Sequence, residues 1–266
     1  MKPLSVGNVV SAGLRIYRDN FKQYFKLAFL GYLWILVPVY GWAKYSAMMG
    51  MIARLAYQEV TEQPETTRDA QRHVKPKMWD FLVAGILVGL ILFVAIIPFS
   101  IVIGLVGVMA GFIFDQNSAI GMVAGVLLII VALLLFVFGL LWLISRLFLV
   151  ELPLAVEENV TATSTIKRSW NLTKGSVGRI QLIVLIGFLI SLPILLVTNI
   201  ASLIFQTLIG AGLENAPSLA AIGTILYLLL AFAGGALMIP FWQAIKGVIY
   251  YDLRLRREGM DIDLKK

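Results

Sequence analysis

Cysteine is absent from this chain of 266 residues, and histidine occurs once, at His73. The first absence excludes a disulfide framework, a thiol nucleophile and a cysteine-ligated iron–sulfur cluster. The second leaves no partner for a zinc site and gives no support to haem or chlorophyll held by histidine. His73 sits among Arg72, Lys75 and Lys77 and reads as a solvated loop residue. No Gly-x-Ser-x-Gly elbow is present. A lipid-modifying enzyme would need an acid/base or metal cluster at a membrane rim, where only Glu157, Glu158 and Asp252 stand as candidates. The chain therefore reads as non-enzymatic, with no cofactor expected.

Charge is also scarce, at 14% of residues, against about 25% in soluble domains. Four stretches carry none: Phe81–Phe114, Gln116–Ser145, Ile180–Leu213 and Asn215–Ile245. A membrane-spanning helix needs about 20 apolar residues. Each stretch accommodates one tilted span and none accommodates two. The runs contain no ionisable group to mark an ion or proton pathway, which argues against an ion-coupled transporter. The fold class expected is all-α: a polytopic membrane helix bundle in one integral domain, residues 1–266.

The cations that remain are grouped. Apart from Lys44, they fall between Lys2 and Lys26, between Arg54 and Lys77, between Arg146 and Arg179, and between Lys246 and Lys266. The junctions inside the paired spans hold only Asp115 and Glu214. Basic loops stay cytoplasmic, so all four groups and both termini are expected on the cytoplasmic side, with Asp115 and Glu214 marking tight turns opposite. Residues 1–26 have cations without a preceding apolar core and do not read as a cleavable signal peptide. The net charge of +7 reads as topology and attraction to anionic lipid; no aromatic-studded basic patch suggests nucleic acid.

Leu27–Ala53 is too short for two full spans, which together need about 40 residues. Charge favours a short re-entrant hairpin turning at Pro38–Gly41, giving six membrane helices. Length alone also fits a single long span broken at Pro38. Lys44, inside this segment, is close enough to a boundary to snorkel.

A threefold repeat is visible, with units of about 1–60, 61–150 and 151–266. Each opens with a basic segment and carries an arginine followed by a helix proline: Arg15 and Pro38, Arg72 and Pro98, Arg168 and Pro193. The returns end in related strings, MIARL from Met51, LISRL from Leu143 and YYDLR from Tyr250. Units that begin and end on one side are parallel. The first is the shortest, which agrees with a shortened hairpin.

Val6, Val10, Leu14, Tyr17, Phe21 and Tyr24 recur at helical spacing, with Arg15, Arg18, Lys22 and Lys26 on another face. This pattern predicts an amphipathic helix lying in the headgroup layer, aromatics toward acyl chains and cations toward anionic headgroups. Thr66 and Asp69 open a second short helix as a weak capping box, closed by Pro76. A third is expected from about Pro153 to Trp170, with Gly175 and Gly178 loosening the chain after it. Trp79, Trp170 and Trp242 lie at expected membrane boundaries. Gly85 and Gly89, Gly107 and Gly111, and Gly121 and Gly125 have GxxxG spacing, which lets helices approach closely in lipid. Packing within the subunit is the leading reading, contact between subunits the other. Pro98, Pro193 and Pro240 kink their spans. Asn199 and Gln206 read as helix–helix hydrogen bonders. The acceptor patterns at Asn159 and Asn171 fall on the expected cytoplasmic side and are chance matches.

The string from Pro240 to Arg254 (PFWQAIKGVIYYDLR), followed by Arg257 to Gly259, resembles the end of a bacterial membrane-domain family associated with glycerophosphoryl diester phosphodiesterases, many of whose members stand alone. Pro153 to Asn159, Arg168 to Trp170 and Thr173 to Gly175 are similar to that family's central cytoplasmic loop. Leu4 to Asn8 and Tyr40 to Tyr45 resemble stand-alone members from photosynthetic bacteria. The resemblance implies a six-helix domain in a bacterial plasma or thylakoid membrane. It does not carry over phosphodiesterase activity, whose separate catalytic domain this sequence does not contain. A scaffold, assembly factor or accessory subunit follows as the expected role, self-associating or partnered within a membrane complex. The alternative is a channel or transporter for a small solute or lipid.

Overall fold

The computed structural model describes residues 4–113, 119–215 and 217–258 and is all-helical over them. The order is α1 (Val6–Asp19), α2 (Phe21–Ile35), α3 (Tyr40–Val60), α4 (Thr67–Val74), α5 (Met78–Ile113), α6 (Ala119–Leu147), α7 (Glu151–Val156), α8 (Ala162–Thr173), α9 (Val177–Asn215) and α10 (Pro217–Glu258). Helix α1, helix α4, and helices α7 and α8 precede α2/α3, α5/α6 and α9/α10 respectively.

Side-chain caps start the short helices. The Ser5 hydroxyl accepts from the Asn8 N–H at 3.2 Å, and Thr66 accepts from Asp69 at 3.3 Å. Thr161 and Ser164 form a reciprocal capping box at α8, satisfying N–H groups that the first helical turn leaves unpaired. A 3-10 turn at Lys75–Lys77 connects α4 to α5.

Four helices, α5, α6, α9 and α10, are long and apolar enough to cross a membrane. At 1.5 Å per residue, the 36 residues of α5 extend about 54 Å, well beyond the roughly 30 Å hydrocarbon layer. The 15 residues of α2 reach only about 22 Å.

The core lies at the end of the molecule where the short helices gather, here termed the base. Its largest fully buried side chains include Ile52, Leu149, Leu154, Ile183, Ile249 and Tyr250. α10 is the spine of this region, packing against α1, α2, α3 and α9. Away from the base the long helices are bare: Phe112 is 87% exposed and Val197 67%. In water such a surface would cost about 25 cal/mol per Å² of apolar area. Acyl chains solvate it without that cost, while each helix satisfies its own backbone.

Three sequence expectations change. Helix α1 ends at Asp19, with Asn20 between it and α2. Its buried face is Val9, Val10, Gly13 and Ile16, packed on α10, while Leu14 and Phe21 stay exposed. Of the expected stripe, Val10 and Tyr24 are buried and Val6 and Tyr17 partly so, while Leu14 and Phe21 face outward, so the stripe serves the protein core in part. The helix expected from Pro153 to Trp170 is two, α7 and α8. They are separated by residues 157–161, where Asn159 takes a φ of 56° that a continuous helix cannot contain.

The third change concerns glycine. A methyl group added at Gly85, Gly89, Gly107 or Gly111 would meet nothing within 4 Å. These residues therefore do not pack helices within the subunit. The close approaches occur elsewhere: Gly13 against Ile245, Gly50 against Phe81, Gly139 against Phe99, Gly187 against Trp242, Gly235 against Tyr32 and Gly247 against the backbone of Ala56 and Tyr57. Gly125 is buried. Of the expected turn markers, Asp115 lies outside the described residues, and Glu214 falls in the last turn of α9.

α2 and α3 are joined by a tight turn. The Tyr40 N–H donates to the Pro38 carbonyl at 2.7 Å and the Gly41 N–H to the Val37 carbonyl at 3.0 Å. The Trp42 indole N–H donates to the Ile35 carbonyl at 3.1 Å, capping α2. Between them Val39 has a φ of 62° and ψ of −68°, a γ-turn that strains a β-branched residue. A Cβ at Gly41 would collide with the Trp34 carbonyl oxygen. Val39→Gly should raise the thermal midpoint in detergent, the relieved strain of about 1–3 kcal/mol exceeding the added chain entropy of up to about 1 kcal/mol. Gly41→Ala should lower it. A fall with Val39→Gly, or a rise with Gly41→Ala, would show that the turn has another geometry.

Candidate functional site

The base owes its form to the one-and-a-half-turn helix α7. So short a helix cannot satisfy its own last carbonyls, and its C-terminal end attracts cations. Lys77, the last residue of the 3-10 turn before α5, donates to the Leu154 carbonyl at 3.3 Å and the Glu157 carbonyl at 2.6 Å. Arg54 of α3 donates to the Ala155 carbonyl at 2.9 Å and pairs with Glu65 at 2.8 Å. Asp80 of α5 accepts from the Ala162 N–H at 3.3 Å, tying in the start of α8. The Thr165 hydroxyl donates to the Val150 carbonyl, and that of Ser169 donates to the Arg146 carbonyl at 2.9 Å.

Two carboxylates act as hubs. Glu157 accepts from Arg168 Nη2 at 2.8 Å and from the Tyr250 hydroxyl at 2.5 Å. Arg168 and Arg254 both also pair with Glu258, and Arg254 donates to the Tyr57 hydroxyl at 3.1 Å. Burial works against the Arg168 charge, but Glu157 outweighs it and holds the guanidinium above its usual range. Burial pushes the Tyr57 phenol up, against the opposing pull of Arg254. Asp252 is 0% exposed. It accepts from the Leu4 N–H at 2.8 Å and from Arg256 Nε at 2.7 Å, and pairs with Arg179 at the start of α9. Glu157 and Asp252 are thus counter-ions in separate networks, and Glu158 is exposed. His73 is half-buried, 3.5 Å from Lys77 Nζ.

A cavity of about 340 Å³ opens beside this platform. Its lining includes Tyr45, Ser46 and Met49 of α3, Phe81, Gly85 and Val88 of α5, Ile239, Trp242, Gln243 and Lys246 of α10, and Phe148 and Glu151. Lys246 pairs with Glu151. Gln243 is 4% exposed, and its Oε1 has no hydrogen-bond donor. A second cavity, of about 460 Å³ between α2, α3 and α4, holds Lys44, whose Nζ lies 3.5 Å from the Trp34 ring centroid. That contact is a cation–π pairing.

The sequence-predicted cations Arg15, Arg18, Lys22 and Lys26 are all exposed. Arg18 pairs with Asp19 at 3.1 Å. Arg15 and Arg18 border a surface hollow with Leu14, Tyr17 and Phe21. Gln206 donates to the Tyr227 hydroxyl at 3.3 Å and so links α9 to α10, whereas Asn199 donates to the Leu195 carbonyl of its own helix at 2.7 Å. Sequence reasoning missed Glu151, Gln243 and Arg146. The Arg146 guanidinium lies 4.5 Å from the Trp170 ring and 5.5 Å from that of Trp142. A signal for Gln243 existed, since it is an amide near the end of an uncharged run, one turn before Lys246.

Asp252→Ala leaves two guanidinium groups facing each other without their counter-ion. Breaking a buried pair costs about 3–5 kcal/mol, so a large drop in the thermal midpoint is expected. Asp19→Ala, which removes only an exposed pair, should change stability by under about 1 kcal/mol. Equal effects of the two substitutions on thermal unfolding in detergent would refute this ranking.

No curated protein and no solved structure matches the chain. A family described as a domain of unknown function, DUF7847, matches residues 17–253. That match spans most of the chain, from α1 through the Asp252 hub of α10, and the protein belongs to this family.

Proposed function

We propose that the chain is a non-enzymatic integral membrane protein that acts as a scaffold or accessory subunit, associating laterally with a second copy or another membrane subunit. The observation that carries this reading is the bare surface of α5. Gly85, Gly89, Gly104, Gly107 and Gly111 all have open space where a Cβ would stand. At 100° per residue they occupy roughly 100° of arc, a smooth strip on which a helix from outside the chain can settle closely. The base supports the reading from the other side, because its ion pairs are consumed in holding the platform rigid. A channel would need a polar path near Pro98, Pro193 and Asn199, and the Asn199 amide already serves its own helix.

The finer topology follows the same reading. All four cation groups face the cytoplasm of a bacterial cell, at the plasma or thylakoid membrane, with both termini there. The α2/α3 pair is a re-entrant hairpin, and the three rounds of short helices and helical pair are parallel repeats, the first shortened. Arg15, Arg18, Lys22 and Lys26 face anionic headgroups. The resemblance to the membrane domains associated with glycerophosphoryl diester phosphodiesterases supports a stand-alone membrane role of this kind.

Native mass spectrometry after gentle extraction tests association. The full chain should retain a second copy or a defined partner, and Gly107→Leu with Gly111→Leu should release it without lowering the thermal midpoint. A lone subunit from native membrane would overturn the proposal. The lack of native cysteine permits a clean topology test with impermeant maleimide. Single cysteines at positions 15, 72 and 174 should all be protected in intact cells. Labelling of position 15 alone from outside would end the parallel-repeat reading.

A further inference from the structure

The cavity beside the basal platform has a graded lining. α5 runs outward from the base and α10 runs back toward it, so residues 81 and 246 lie nearer the base than residues 88 and 239. At the basal end stand Lys246, Glu151 and Gln243; toward the bilayer stand Gly85, Val88 and Ile239. Beyond the rim the α5 surface continues as exposed Ile86, Leu90 and Phe93. A polar floor that opens onto an acyl-solvated wall has the polarity of one amphiphile, headgroup inward.

We infer that this cavity binds a single zwitterionic aminophospholipid, its headgroup seated between Lys246, Glu151 and Gln243. Three features select the headgroup. The floor has one cation and one anion in direct contact, so a headgroup of phosphate and ammonium exchanges that pair for two pairs of the same signs. A purely anionic headgroup would satisfy Lys246 and leave Glu151 against negative charge. Gln243, nine-tenths buried, lines the cavity and has an acceptor oxygen without a donor. Its terminal torsion is soft, and a turn about it presents that oxygen to an N–H donor. A primary ammonium supplies such donors, and a quaternary choline supplies none. The volume of about 340 Å³ suits a headgroup with its first methylenes, within the roughly 300–1,000 Å³ of small-molecule sites. The acyl chains lie outside, along α5. The site shares Gly85 with the strip read above for lateral association, but Gly107 and Gly111, whose replacement tests that reading, lie in the outer half of α5, clear of the cavity.

The full-length protein is reconstituted in nanodiscs of equal parts phosphatidylethanolamine, phosphatidylglycerol and phosphatidylcholine, then released for native mass spectrometry. One retained phosphatidylethanolamine is expected, enriched about tenfold over the other two, as the loss of one charge-assisted hydrogen bond predicts. Gln243→Leu should abolish that preference. Gly85→Leu places a side chain into space that is open in the native protein and should displace the lipid with the thermal midpoint unchanged. Retained lipid that mirrors the bath composition, or wild-type retention in Gly85→Leu, overturns the proposal. Equal retention of the choline lipid means that no ammonium N–H reaches Gln243 and overturns it as well.

Discussion

A buried carboxylate, Asp252, holds together three parts of the chain that are remote in sequence: the start of α1 through the Leu4 backbone, the start of α9 through Arg179, and the end of α10 through Arg256. The constraint behind it is the bilayer. Helices solvated by acyl chains gain little from packing on one another, because lipid is as apolar as their side chains. Specific contacts must then come from groups the membrane interior does not tolerate, and those collect at one end. Glu157 repeats the solution among α7, α8 and α10, and the cations at the end of α7 repeat it with backbone carbonyls as acceptors. The base is thus organised by charge and hydrogen bonding, with an aliphatic core beneath.

That division explains what could be read in advance. The uncharged runs translate directly into α5, α6, α9 and α10, because exclusion of charge over such lengths has one physical cause. The turn near Pro38 was legible from proline, glycine and the short distance between cations. The Thr66 cap was legible because its donor and acceptor are three residues apart. What failed was whatever depends on a distant neighbour. Val6, Val10, Leu14 and Tyr17 share one face of α1 and Val9, Gly13 and Ile16 the neighbouring one; only the presence of α10 decides how far each is buried. GxxxG spacing on α5 describes a smooth surface but does not say whether a helix of the same chain covers it. Conversely, Gly13, Gly50 and Gly247 stand alone in sequence and carry no spacing signal, yet each receives another element.

The candidate site was hidden for the same reason. Glu151 and Lys246 are 95 residues apart, and each alone resembles any other charge at a membrane boundary. Gln243 looked like part of an apolar run. The acidic residues that drew attention as possible catalytic groups, Glu157 and Asp252, are the most heavily engaged counter-ions of the platform.

α10 is unbroken for 42 residues, with Pro240 inside it. Proline at that position has no N–H to return to the preceding turn, so the rod has a pivot where it leaves the platform. Below the pivot, Lys246, Arg254 and Arg256 are clamped by carboxylates; above it the helix meets lipid. A mismatch between bilayer thickness and helix length is relieved mainly by tilt, and here the tilt has a natural fulcrum. Thickening or thinning of the membrane would swing the outer arm of α9 and α10 while the clamped half stays in place, and the walls formed by Ile239 and Trp242 lie next to that fulcrum.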